Sequence, residues 1–161
     1  KLNAVLLGGV NEDEIPTLAA LAQDGKYEVR FIELMPIGEC ADWPRARFLS
    51  ADAVLNALPG LRRVPSSGVA ELYQMPGWAG KIGLIRPMSR RFCADCDRIR
   101  VTADGKLKPC LHAAQEIALR GLHGKALETA LREGMFGKPA CHHMAQGRPS
   151  ESLRTMNRIG G

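Results

Sequence analysis

KLNAVLLGGVNEDEIPTLAALAQDGKYEVRFIEL, residues Lys1 to Leu34, decides the fold class. Its first ten residues are an apolar run broken by the Gly8-Gly9 pair, the pattern of a buried strand running into a loop. A helix is expected next, with Asn11 and Glu14 three residues apart as a cap arrangement. Ile15, Leu18, Ala19 and Ala22 form its apolar stripe, and Gly25 stops it. Tyr27 to Leu34 then predicts a second strand. Strand, helix, strand is the unit of a parallel α/β sheet, because parallel neighbours need a crossover connection. Such sheets carry their ligands at the C-terminal ends of the strands.

Outward from this unit the pattern changes. From Pro36 to Arg47 proline, glycine and charge replace periodicity, so a domain boundary is placed there, dividing the chain into residues 1–47 and 48–161. A short helix is expected from Ser50 to near Gly60, then a hairpin of Val69–Met75 and Lys81–Pro87 across the turn-rich PGWAG. Lys125 to Arg132 predicts an amphipathic helix, and the chain from Gly134 onward reads as loop.

The 161 residues suffice for one compact domain, or for part of a larger fold plus a small second one. With 45% apolar residues and no apolar run long enough to span a bilayer, a membrane-spanning protein is excluded. The net charge of +5 favours an anionic partner, a phosphorylated ligand or a nucleic acid. Five cysteines is an odd number, and three of them form C-x2-C-x13-C. That favours an intracellular metal site over a secreted disulfide framework and places the protein in the cytoplasm. The chain opens on Lys1 rather than Met and shows no signal-peptide architecture, so further sequence upstream is expected.

The segment RRFCADCDRIRVTADGKLKPCLH, Arg90 to His112, carries most of the chemistry. Two cysteines separated by two residues form a knuckle that can present both thiolates to one metal centre. Cys93 and Cys96 are that pair, and Cys110 can supply the third thiolate from a neighbouring strand. Between them a hairpin is expected to turn at Ala103-Asp104-Gly105. A three-residue loop with Gly105 left-handed pairs Thr102 with Lys106, Arg100 with Lys108 and Arg98 with Cys110. Arg98, Arg100, Thr102, Lys106, Lys108 and Cys110 then share one face, while Ile99, Val101, Leu107 and Pro109 share the other. A two-residue loop would scramble both faces.

Spacing alone does not name the metal. Structural zinc wants four protein ligands, and His112 could be the fourth, whereas an iron–sulfur cluster accepts three thiolates and leaves one iron open. The absence of a second C-x2-C pair favours the cluster. Cys40 and Cys141 are candidate outside ligands or buried thiols.

These residues resemble the GTP 3′,8-cyclases of molybdenum cofactor biosynthesis. The resemblance is carried by KLNAVLLGGVNEDEI at 1–15, VRFIELMPIG at 29–38, FCADCDRIRVTADGKLKPCL at 92–111, KPACHHM at 138–144 and the terminal MNRIGG. It implies the last strand–helix–strand of an incomplete (β/α) radical-SAM barrel in residues 1–47, followed by a smaller α+β cluster-binding domain. It further implies a [4Fe-4S] cluster on Cys93, Cys96 and Cys110 whose open iron takes a nitrogen of GTP. Arg98, Arg100 and Lys1 would contact the nucleotide, Arg30 and Met35 would line the S-adenosylmethionine site, and Gly160-Gly161 would form a tail entering the active site. The C-x3-C-x2-C motif of the radical-generating cluster is nowhere in the sequence. The resemblance therefore implies the substrate-holding half of a lyase, unable to make the radical alone. Its partners would be GTP and the N-terminal radical-SAM half, with homodimer formation by the full-length protein a further expectation. The rival reading is a zinc module whose basic hairpin contacts nucleic acid. No aromatic residue lies on the hairpin to stack a base, which argues against it.

Overall fold

The computed structural model describes residues 1–142, 144 and 150–159, so the Gly160-Gly161 expectation lies outside the described residues. The chain divides into two compact units. The first comprises Lys1–Met35 with Pro44–Asp95, the second Pro36–Trp43 with Cys96–Gly161.

The first unit is a five-stranded mixed sheet in the order β1-β2-β5-β4-β3, formed by Leu2–Leu6, Val29–Glu33, Ile82–Ile85, Glu71–Gln74 and Arg62–Val64 respectively. β1, β2 and β5 are parallel neighbours, while β4 and β3 add antiparallel. The expected parallel strand–helix–strand is present, and so is the hairpin of β4 and β5. The boundary read at Arg47/Phe48 falls inside this unit, because β3, β4 and β5 complete the same sheet as β1 and β2.

Alternation along β2 explains where the core sits. Val29, Phe31 and Glu33 are buried while Arg30 and Ile32 are half-buried on the other face. Leu6, Phe31, Ile82 and Leu84 from the sheet close on Ile15, Ala19 and Ala22 around α1 (Ile15–Ala20) and on Val54 of α2 (Asp52–Ala57). Each of the larger side chains, Leu, Ile, Val and Phe, contributes about 1.5–3 kcal/mol by leaving water. Asn11 does not cap α1. Its Oδ1 accepts from the Leu7 backbone N–H at 2.9 Å and its Nδ2 donates to the Val5 carbonyl at 2.9 Å, fastening the exit of β1 instead. Pro16 sits in the first turn, where a missing N–H costs nothing.

The second unit holds a three-stranded sheet of β6 (Arg100–Val101), β7 (Lys106–Lys108) and β8 (Ile117–Ala118), and the helix α3 (Gly124–Phe136). α3 runs past the position where the sequence reading ended it. Gly134, read as the start of a loop, is buried within the helix because a Cβ there would lie 2.0 Å from Leu107 Cδ2. Glycine is required by the close approach of β7, and its helix-weakening entropy is secondary. Among the described residues no helix is long and apolar enough to cross a membrane.

Candidate metal centre

The hairpin has the expected register. Arg100 pairs with Lys108 and Val101 with Leu107. Thr102 N–H donates to Lys106 O at 2.9 Å, and Gly105 turns the chain at φ +78°. Positive φ excludes β-branched residues there and selects glycine. The ladder stops before the Arg98–Cys110 pair. The Arg98 carbonyl, which a continued ladder would offer to the Cys110 N–H, is taken instead by Lys138 Nζ at 2.9 Å.

The two faces are not buried as polarity predicted. Leu107 is fully buried under α3, yet Val101 beside it is 54% exposed, and Lys108 on the polar face is 0% exposed. Lys108 Nζ donates to the Ala113 carbonyl at 2.6 Å and lies 3.7 Å from Glu116. Glu116 also receives Arg154 in bidentate fashion at 2.5 and 2.9 Å and pairs with Lys106 at 3.2 Å. Arg154 continues to Asp104 at 2.7 Å. Lys106 and Lys108 are thus committed to a carboxylate network. Neither Glu116 nor Arg154 was singled out in the sequence, because nothing local marks residues 38 positions apart as partners.

This network sets an acid limit. Arg154, first, and Lys106 hold the Glu116 carboxyl down to about 2, from a normal value near 4.5. The unfolded chain therefore binds an extra proton between those values. Stability from Glu116 is complete above about pH 4.5 and is lost as pH falls towards 2. Discounted for solvent screening, about 1–2 kcal/mol should disappear across that window. Urea unfolding at pH 5 and pH 2.5 should show the loss, and Glu116→Gln should remove that part of it.

Cys93 opens a 3-10 turn, Cys93–Asp95, at the end of the first unit, while Cys96 and Cys110 belong to the second. All three are half-buried and none is in a disulfide. The donor chemistry suits an iron–sulfur cluster, which takes thiolate sulfur. Among the described residues no three His, Cys, Asp or Glu side chains are gathered closely enough to hold a metal ion. Cys110 lines a cavity of about 30 Å³, room for one water, together with His112, Cys141 and His142. Burial, then the neighbouring His142, Arg100 and Lys108, push the His112 imidazole down to about 4, so it is neutral at pH 7. Burial and Glu39 push the Cys40 thiol up, which keeps it protonated.

The remaining candidates fall in both units. Arg100 is half-buried on β6, Arg98 is exposed, and Lys1 is exposed just before β1. Arg30 is the second residue of β2, paired with Glu28 at 2.6 Å and lying over Gly83, where any Cβ would come within 2.9 Å of Arg30 Cγ. Met35 follows the other end of the strand, so about 16 Å of extended chain separates the two.

The sequence reading also missed two features of the first unit. Glu33, 2% exposed, accepts from the backbone N–H groups of Ala51 (3.0 Å), Met88 (2.9 Å) and Ser89 (2.8 Å) and from the Ser89 hydroxyl. It thereby fixes the segment leading into Cys93. Arg63, Arg86 and Arg90 gather around Glu71 in an open pocket of about 460 Å³, with Glu71 3.1 Å from Arg90.

The chain carries a parallel α/β unit and a cysteine-bearing hairpin unit, and the Molybdenum Cofactor Synthesis C family model matches its residues 27–144. The chain belongs to that family. Curated relatives named GTP 3′,8-cyclase match all of it, at 43% identity in Alkaliphilus oremlandii, 45% in Alkaliphilus metalliredigens and 38% in Clostridium botulinum. The chain spans about half the length of these relatives, 52% in each case, and corresponds to their C-terminal half.

Proposed function

We propose that this chain is the GTP-holding half of a GTP 3′,8-cyclase, with Cys93, Cys96 and Cys110 as ligands of a [4Fe-4S] cluster. What carries the reading is the hairpin register. It sets Arg100 opposite Lys108, two residues from Cys110, in a chain whose relatives act on GTP by name. An iron–sulfur cluster with three thiolate ligands supplies an open, Lewis-acidic iron for a nitrogen of the guanine base. The chain's own residues supply the rest. Arg98 and Arg100 offer planar, bidentate donors to oxyanions and base edges, and Lys1 offers a point charge to the triphosphate. Arg30 and Met35 line the S-adenosylmethionine side, and Gly160-Gly161 enters the site from the C-terminus. β1, α1 and β2 supply the last strand–helix–strand of an incomplete barrel whose remainder, with radical generation, belongs to the other half. GTP is then converted to its 3′,8-cyclo form by a protein working in the cytoplasm.

The test uses the complete, cluster-loaded protein. Arg100→Lys is expected to weaken GTP binding by about 1–3 kcal/mol, the range for lost charge-assisted hydrogen bonds, with the cluster spectrum unchanged. Unchanged affinity in both Arg98→Lys and Arg100→Lys would make these arginines a solvated face. ATP binding as tightly as GTP would remove the guanine-to-iron contact.

A further inference from the structure

The KPACHHM stretch contains a residue to which the proposed reaction gives no task. Lys138 follows α3, and its half-buried ammonium donates to three acceptors: the Cys96 carbonyl, the Arg98 carbonyl at 2.9 Å and the Cys96 Sγ at 3.2 Å. An ammonium has three donors, and all three are directed at the chain between Cys96 and Arg98. A surface lysine ordinarily keeps its head in water and its rotamer freedom, worth about 2 kcal/mol, so this placement has a cost that solvation would not. The Arg98 contact takes the carbonyl that a continued ladder would have offered to the Cys110 N–H, and the Cys96 contact fixes the chain two residues earlier. The third contact puts a positive charge against a candidate ligand sulfur. Hydrogen bonds to cluster sulfurs stabilise the more negative, reduced state and so raise the reduction potential.

We infer that Lys138 is a positioning residue for the metal centre: it holds the Cys96–Arg98 segment through its two carbonyls and sets the cluster's potential through its N–H···S contact. This rests on the three-cysteine reading above. The full chain is reconstituted anaerobically with ferrous iron and sulfide, as wild type, Lys138→Leu and Lys138→Arg. Iron and sulfide per chain are measured, and the reduction potential is read by an EPR-monitored redox titration. The expected result is a clearly more negative potential in Lys138→Leu and a near-wild-type one in Lys138→Arg, which keeps both cation and donors. Loss of assembly in Lys138→Leu that Lys138→Arg restores supports the same role. Loss in both variants shows a requirement for shape rather than charge and overturns it. An unchanged potential in a fully loaded Lys138→Leu also overturns it while leaving the three cysteines standing. A wild-type chain that takes up no iron and sulfide overturns the three-cysteine reading and this one together.

Discussion

Serine at Cys93, Cys96 or Cys110, introduced one at a time, is expected to abolish uptake of iron and sulfide, whereas serine at Cys40 or Cys141 leaves it near wild type. With three protein thiolates and one open iron, no ligand is redundant, and a serine hydroxyl is too weakly acidic to replace a thiolate at neutral pH. Cys40 is the clearest negative control, since burial and Glu39 keep its thiol protonated. Cys141 is the sharper one, because it lines the same small cavity as Cys110. Iron and sulfide analysis with visible charge-transfer absorption reads the outcome. Equal loss in Cys141→Ser would bring Cys141 into the ligand set, and full loading in any one of the three single variants would remove that residue from it.

Glu33→Ala is expected to be the most destabilising single change in the first unit. It strips the acceptor from three backbone N–H groups, those of Ala51, Met88 and Ser89, and from the Ser89 hydroxyl, at a site only 2% exposed. Leaving a buried donor unsatisfied costs about 1–3 kcal/mol, so three of them give roughly 3–6 kcal/mol after partial relaxation. A native domain holds only about 5–15 kcal/mol in total, and the variant should unfold far earlier in urea. Ser89→Ala removes one partner only and should cost near 1 kcal/mol. Equal, small losses in both variants would show that water replaces the carboxylate and that Glu33 is not the anchor described.

The parallel unit was legible because its signals are local: an apolar run into glycines, a stripe at helical spacing, a second apolar run. The hairpin register was legible for the same reason. Only a three-residue loop kept Arg100 with Lys108 and Val101 with Leu107 in matching polarity, and those pairs are present. What escaped depends on distant partners. β3 carries two arginines and reads as loop until β4 is there to pair with it. Gly134 looks like a helix stop unless Leu107 is known to lie beneath it. Glu33 looks like the polar end of a strand, since its donors sit 18, 55 and 56 residues away. The burial of Lys108 was invisible because Arg154 and Glu116, not the hairpin, decide it.

The strand order also bears on how the chain reaches its structure. β3, β4 and β5 follow one another and pair as an antiparallel meander, whereas β2 must find β5 across the whole intervening segment. Closing a short loop precedes closing a long one, and parallel pairing at long sequence separation is slow. The meander should therefore organise first and serve as the template on which β2 docks, carrying β1 with it, since β1 and β2 are joined by the shorter connection. Because Glu33 meets Met88 and Ser89 only once β2 is in register with β5, the segment entering Cys93 is fixed late, after most of the sheet has formed. Metal supplied during refolding would then meet an unset knuckle, and metal supplied afterwards a finished one. The order of addition should govern the yield of loaded protein.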